Sequence, residues 1–187
     1  MPATRDPQSD RTDRTAIAQG DGEATSVAVI AVGNPIMGDD GVGARVLERL
    51  EAGPEADRPD LTLANAATTA FFALEAMSGC DRAIVLDAIA TGAAPGTVHQ
   101  YRYVDGAFAG EIPEMTMHDF SFAEALQAGR EAYDLPGEVL ILGVEPKRIE
   151  MSMTLSEPIE QAVPALVARV REELPDRPNH PPQADNA

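Results

Sequence analysis

The stretch VAVIAVGNPIMGDDGVGARVLERL, residues 27–50, constrains the fold of this chain more than any other. Its first part, Val27–Val32, is uniformly apolar, as expected for a strand buried on both faces. After a glycine-bearing turn, apolar residues recur at helical spacing, with charged residues between them. The apolar stripe consists of Val42, Val46, Leu47 and Leu50, and the outward residues are Arg45, Glu48, Arg49 and Glu51. A strand that passes directly into an amphipathic helix predicts an α/β fold.

The rest of the chain continues the alternation of strands and helices. Predicted strands span Leu61–Asn65, Ala83–Asp87, Thr97–Tyr103 and Glu138–Val144, and predicted helices span about 68–78 and 157–174. The alternating segment TVHQYRY is typical of a half-exposed strand toward a sheet edge. We therefore predict an α/β fold of three layers, with about five strands in a mostly parallel twisted sheet and helices on both faces. One edge strand is a candidate for antiparallel pairing.

The two later helices carry more detailed expectations. The first bears four large apolar residues, Phe71, Phe72, Leu74 and Met77. The second has one apolar face, formed by Ile159, Val163, Leu166, Val167, Val170 and Leu174. Ser156 is its predicted N-cap, and Pro164 is predicted to kink it.

Composition divides the chain into one domain, residues 26–174, and two tails. Residues 1–25 and 175–187 are polar and lack apolar periodicity, so ordering them would lose entropy without burying surface, and we predict disorder. The first tail lacks the apolar region of a secretion signal, and no stretch reaches the about 18 apolar residues that cross a bilayer. We expect a cytoplasmic protein, and its single cysteine, Cys80, excludes an internal disulfide.

The charge of the chain limits its partners. The formal charge is −17, from 31 carboxylates against 14 basic side chains. Nucleic acids and anionic membranes would repel such a chain, so neither is an expected partner. We expect the protein to act as a monomer.

The glycine-bearing turn after the first strand holds two adjacent carboxylates, Asp39 and Asp40. A strand, a glycine loop and a helix N-terminus usually indicate phosphate binding, but these glycines lack the dinucleotide spacing and the carboxylates would repel a pyrophosphate. The helix N-terminus keeps the carboxylates ionised and able to accept a cation. The alternative is that one of them only caps the helix.

Two further side chains are candidates for the same cation site. Asp87 ends a predicted central strand, so its carboxylate meets Asp40 in one crevice if the two strands are neighbours. His118 follows Thr116, which has capping-box spacing to Asp119, so it should lie in the first turn of a helix and stay neutral, as a metal ligand must. Their alternatives are a loop-capping acid and a packed histidine.

Other chemistry-bearing residues fit less well. His99 lies in the alternating strand and is expected to face solvent, and His180 lies in the second tail. Cys80 has no acid–base partner at local spacing. The chain contains neither a G-x-S-x-G elbow nor an H-E-x-x-H helix, which excludes the common serine-hydrolase and zinc-protease patterns.

Four motifs, GNPIMGDDGVG, VLDAI, MHDF and GVEPKRIE, resemble the nickel–iron hydrogenase maturation endopeptidases from about Val27 to Leu174. The resemblance implies an aspartic-type endopeptidase that removes a C-terminal peptide from the hydrogenase large-subunit precursor after nickel insertion. It also implies that Asp40, Asp87 and His118 are both the catalytic and the metal-contacting residues. The nickel would arrive with the substrate, and no nucleotide would be needed.

The chain departs from the family's pattern in two loops. NAATTAF lacks the glycine that often precedes the threonine matching Thr68, and Thr154 replaces a usual glycine. Both departures concern local loop shape and hence the choice of large subunit. The sequence leaves two alternative functions open: a non-catalytic, nickel-dependent maturation chaperone, and a nucleotide-binding α/β domain.

Overall fold

The structure is a computed structural model that describes residues 25–109 and 122–176. Its sheet has six strands in the order β2-β1-β3-β6-β4-β5. The strands are β1 Val27–Ala31, β2 Leu61–Asn65, β3 Arg82–Ala88, β4 Val98–Val104, β5 Ala107–Phe108 and β6 Glu138–Val144. The first three strands and β6 run parallel, whereas β4 is antiparallel to β6 and β5 is antiparallel to β4.

Helices cover both faces of this sheet. They are α1 Val42–Glu51, α2 Ala70–Met77, α3 Phe122–Gly129 and α4 Glu157–Glu173. The residues of α1 and α4 pack with one face of β1, β3 and β6, and those of α2 and α3 pack with the other face. The predicted three-layer, mostly parallel α/β fold with an antiparallel edge is therefore confirmed, with one strand more than expected. None of the helices in the described part of the chain is long and apolar enough to span a membrane.

The amphipathic α1 lies against the sheet as its pattern predicts. All four residues of its apolar stripe are buried, and Gly43 brings its backbone close to the strands. A Cβ at Gly43 would lie only 2.7 Å from the carbonyl oxygen of Leu86 in β3. This contact fixes the start of α1 over β1 and β3.

Two elements show details that the sequence pattern left open. Of the four large apolar residues of α2, Leu74 and Met77 are buried with Ala73, whereas Phe71 and Phe72 are 67% and 57% exposed. The strand β4 lies toward the sheet edge as expected, with only the two-residue strand β5 outside it.

The start of α4 differs in one detail from its prediction. Ser156 occupies the N-cap position, but its side chain makes no capping hydrogen bond. The helix then continues through Pro164. The tails predicted to be disordered lie almost entirely outside the described residues, so they and the domain bounds stay predictions.

Candidate active site

Two of the three predicted site residues lie at the carboxyl edge of the sheet, where the chain changes direction. β1 and β3 are adjacent and parallel. After β1 the chain crosses through α1 to β2 on one side, whereas after β3 it continues to β4 and β6 on the other. Such a switch opens a crevice beyond the strand ends. Asp40 follows β1, and Asp87 is the last residue but one of β3.

The carboxyl group of Asp87 is partly buried and keeps its proton to a higher pH than an exposed aspartate does. Desolvation by burial, followed by the negative charge of Asp40, raises its pKa from 3.8 to about 7. The backbone N–H of Ala88 donates a hydrogen bond to Oδ1 of Asp87 at 2.8 Å, which lowers the pKa in part. Because the charge of Asp40 reaches Asp87, the two carboxyl groups belong to one site.

The turn between β1 and α1 holds Asp40 in place. The backbone N–H of Asn34 donates a hydrogen bond to Oδ2 of Asp40 at 2.7 Å. Gly33 has a φ of 114°, and a Cβ there would lie 2.0 Å from the carbonyl oxygen of Asp40. Only glycine allows this approach, so Gly33 lets the turn fold back onto Asp40.

The neighbouring carboxylate, Asp39, is fully buried and bound to the connection between β6 and α4. Its Oδ2 accepts hydrogen bonds from the backbone N–H groups of Lys147 and Arg148, both at 2.9 Å, and from the hydroxyl of Ser156 at 2.8 Å. Its Oδ1 accepts one from the backbone N–H of Ser156 at 2.6 Å. Burial raises the pKa of Asp39, but hydrogen bonds from Ser156, Arg148 and Lys147 outweigh it and lower the pKa below 3.8.

The two adjacent carboxylates therefore have different surroundings. The interpretation of Asp39 as a second cation-accepting group is wrong, since its carboxylate is engaged by the protein. The capping alternative is also wrong, because Met37 and Gly41 occupy the N-cap positions of the 3₁₀ helix Gly38–Gly41 and of α1, and neither helix has a side-chain cap.

His118, the third predicted site residue, lies outside the described residues, together with Thr116 and Asp119 of the predicted capping box. Within residues 25–109 and 122–176, no three His, Cys, Asp or Glu side chains are grouped so as to hold a metal ion. The described part of α3 begins at Phe122, which is buried in the same apolar cluster as Ile89, two residues after Asp87.

A polar cluster next to this site has no counterpart in the sequence prediction. Glu145, which directly follows β6, is buried and accepts hydrogen bonds from the N–H and hydroxyl of Thr91, at 2.7 and 2.8 Å, and from the N–H of Gly92 at 3.0 Å. Burial raises the pKa of Glu145, but the hydrogen bonds from Thr91, Gly92 and His99 together outweigh it and lower the pKa to about 2. An acid directly after an apolar strand, the pattern that singled out Asp87, was the signal that could have found it.

His99 belongs to this cluster, so its predicted orientation toward solvent is wrong. Its Nε2 lies 3.4 Å from Oε2 of Glu145 and 3.3 Å from Oγ1 of Thr91, and its side chain is mostly buried. The same ring nitrogen faces both groups, and the threonine hydroxyl donates to the carboxylate directly. The histidine therefore does not bridge a hydroxyl and an acid as in a hydrolase triad.

Cys80 lies far from these groups in the fold, between α2 and the amino end of β3. Burial, followed by the charge of Asp81, raises the pKa of its thiol. A raised pKa disfavours the thiolate that a nucleophile requires. This agrees with the sequence, in which Cys80 has no acid–base partner at local spacing.

Exposed apolar side chains border the loop that carries Asp40. Ile36 is 45% exposed, and Met151 and Met153 in the β6–α4 connection are 84% and 74% exposed. The two loops are joined by a parallel bridge between Met37 and Ser152. The site therefore has an apolar border beside its carboxylates.

Known proteins are similar to this chain in sequence and in fold. The family model described as "HycI: Hydrogenase maturation protease" matches residues 44–173. Hydrogenase expression/formation protein HoxM of Azotobacter vinelandii is 30% identical over 147 residues, covering 76% of this chain and 70% of that protein. Hydrogenase 2 maturation protease of Escherichia coli (strain K12) is 29% identical over 154 residues, covering 78% and 91%. The solved structure of the hydrogenase maturating endopeptidase HybD from E. coli has 28% identity and a TM-score of 0.59, covering 79% of this chain and 93% of that one.

The fold and these similarities define an α/β peptidase with two carboxyl groups at the switch point of the sheet. The chain belongs to the hydrogenase maturation protease family. The resemblance drawn from the four motifs is thus confirmed, and the peptidase interpretation is favoured over the chaperone and nucleotide-binding alternatives. The family match begins at Ala44, just after the loop that carries Asp40.

Proposed function

We propose that this peptidase removes the C-terminal extension of a nickel–iron hydrogenase large-subunit precursor after nickel insertion. In this proposal Asp40, Asp87 and His118 contact nickel that the precursor carries. The observation that supports it most is the pairing of Asp40 and Asp87 at the β1–β3 switch point in a chain of the maturation protease family.

The electrostatics of the carboxyl pair support nickel as the recognition element. Asp40 and Asp87 disfavour a shared double negative charge, as the raised pKa of Asp87 indicates. A divalent ion brought by the substrate would remove this repulsion, whereas an unloaded precursor would leave it in place. Two carboxylates and one imidazole also form a mixed oxygen and nitrogen donor set that suits first-row divalent ions. Nickel loading would then decide which precursors bind.

Two routes can break the peptide bond at such a site. In one, the substrate's metal polarises the scissile carbonyl or the attacking water. In the other, a carboxylate of the protein takes a proton from that water as general base. The pKa of Asp87 is about 7 without metal, and a bound nickel ion would lower it, so Asp87 would be ionised and able to accept a proton near neutral pH.

The border of the site is suited to a polypeptide substrate. Met151, Met153 and Ile36 expose flexible apolar side chains on two loops beside the Asp40 turn. Exposed methionines adapt to varied apolar partners. We expect them to contact the precursor near its cleavage position.

The test compares a nickel-loaded and an unloaded precursor incubated with purified protein, with the released peptide measured by mass spectrometry. We expect release only from the loaded precursor. Asp40→Asn, Asp87→Asn and His118→Ala should each abolish release and leave the circular dichroism spectrum unchanged. His180→Ala, which alters a histidine of the second tail, is the matched control and should process normally. Normal trimming of the loaded precursor by all three site variants would refute the assignment.

The remaining sequence expectations concern the setting of the reaction. We still predict that the protein is a monomer, lies in the cytoplasm and uses no nucleotide. Sedimentation would measure the oligomeric state, and a nucleotide-dependent rise in melting temperature would contradict the absence of a nucleotide.

A further inference from the structure

The buried carboxylate of Asp39 has a role that metal contact does not explain. We propose that Asp39 is the positioning residue for Asp40: it ties the loop that carries Asp40 to the β6–α4 connection, residues 145–156. This role rests on the proposed function, in which Asp40 contacts the substrate's metal, and it deepens that function by naming what holds Asp40.

Hydrogen bonds from the protein engage both oxygens of the Asp39 carboxylate. A carboxylate offers about four acceptor sites on its two oxygens. The N–H groups of Lys147 and Arg148 and the hydroxyl of Ser156 donate to Oδ2, the N–H of Ser156 donates to Oδ1, and the side chain is fully buried. Asp39 therefore acts through the protein, whereas Asp40 is partly exposed and accepts one hydrogen bond, from Asn34, in the described part of the chain.

The backbone beside Asp39 is joined to the same connection. The N–H of Gly38 donates to the carbonyl of Ser152 at 2.9 Å, and the N–H of Ser152 donates to the carbonyl of Ile36 at 3.0 Å. The N–H of Asp39 donates to the carbonyl of Arg148 at 3.3 Å. The carboxylate of Asp39 adds further hydrogen bonds between these two segments, at the residue that precedes Asp40. These hydrogen bonds restrict the backbone conformation of Asp40, because it directly follows Asp39, whose N–H and carboxylate are both hydrogen-bonded.

A second buried acid provides a matched comparison at the other end of the same connection. Glu145 accepts hydrogen bonds from Thr91 and Gly92, in the loop that follows β3 and Asp87. It therefore binds a different loop by the same chemistry. Replacing either acid by its amide should loosen one loop and not the other.

The experiment measures amide hydrogen exchange by NMR in Asp39→Asn and Glu145→Gln. Asparagine offers one acceptor oxygen and turns an NH₂ group toward N–H donors, so the Asp39 contacts fail. In Asp39→Asn we expect the exchange rate of the Asn34 amide, relative to the core amide of Ile141, to rise about tenfold or more. In Glu145→Gln the amides of Thr91 and Gly92 should respond instead, and Asn34 should not.

Processing kinetics give a second measurement. The kcat/KM of Asp39→Asn, per folded molecule, should fall about tenfold or more, because Asp40 contacts the nickel by which the precursor is recognised. Ser156→Ala removes only the hydroxyl donor, so it should shift both measurements in the same direction by about threefold, and it serves if Asp39→Asn does not fold.

The outcomes separate this role from the proposed function. A purely structural role of Asp39 would speed the exchange of Asn34 and Ile141 by the same factor, and that result overturns the proposal. If the wild-type protein fails to process a loaded precursor, the proposed function fails, while the exchange ratio still decides whether Asp39 positions Asp40.

Discussion

Replacing Asp87 by asparagine is expected to stabilise the folded chain, although the same change should end processing. Ionisation of the Asp87 carboxyl group costs more free energy in the folded state than in the unfolded state, because burial and the charge of Asp40 raise its pKa to about 7 from 3.8. Asparagine stays neutral and keeps an oxygen that can accept the hydrogen bond from Ala88. Active-site residues commonly lower the stability of the folded protein.

The magnitude follows from the difference between the two pKa values. The folded state holds the proton of Asp87 more tightly, so the contribution of this group to stability is highest below pH 3.8 and falls as the pH rises toward 7. Each pKa unit is worth about 1.4 kcal/mol, so the loss is about 2 kcal/mol at pH 5 and about 4 kcal/mol at pH 8. Asp87→Asn should escape this loss and exceed the wild type by these amounts.

Urea unfolding at pH 5 and pH 8, in the presence of a chelator, measures both values. Asp81→Asn is the control of opposite sign. The N–H and hydroxyl of Ser26 donate to the exposed Asp81 carboxylate and lower its pKa, so this substitution should destabilise the fold at pH 8 and less so in acid. An Asp87→Asn protein no more stable than wild type at pH 8, or a gap that does not widen from pH 5 to pH 8, would refute the reasoning.

Two further predictions concern packing and the substrate border. Gly43→Ala should cost about 2 kcal/mol of unfolding free energy because its Cβ would lie 2.7 Å from a β3 carbonyl oxygen, whereas Gly137→Ala, in open space, should be nearly neutral in urea unfolding. Met151→Ser combined with Met153→Ser should raise the KM for the precursor with little change in Tm. Val104→Ser, at the opposite edge of the sheet, should leave KM unchanged, and equal KM values in all three proteins would contradict contact with the precursor.

Much of the fold is predictable from local pattern. The bounds of β2 and β6 agree with the prediction, because an apolar strand limited by polar and turn residues is a local signal. In α2 the sequence has four large apolar residues and leaves open which of them are buried. The buried residues Ala73, Leu74 and Met77 fit a helical stripe that begins at Ala70, and the larger phenylalanines lie off it.

The polar residues of the site were less predictable, because their partners are distant in sequence. The alternation in β4 suggested an exposed His99, yet Glu145 and Thr91 enclose it. Both belong to other elements, so no local period could indicate the contact. The likeness of GVEP to VLDAI in placing an acid after an apolar run was the one available sign of Glu145.

The sequence by itself determined the α/β class, the family and the candidate residues Asp40 and Asp87, because apolar periodicity and short motifs depend on neighbouring positions. Only the tertiary structure decided that β1 lies beside β3, and with it that Asp40 raises the pKa of Asp87. It also distinguished Asp39 from Asp40. Two adjacent aspartates look chemically alike in a sequence. They differ in the fold because the β6–α4 connection, more than a hundred residues away in sequence, donates hydrogen bonds to the carboxylate of Asp39 and not to that of Asp40.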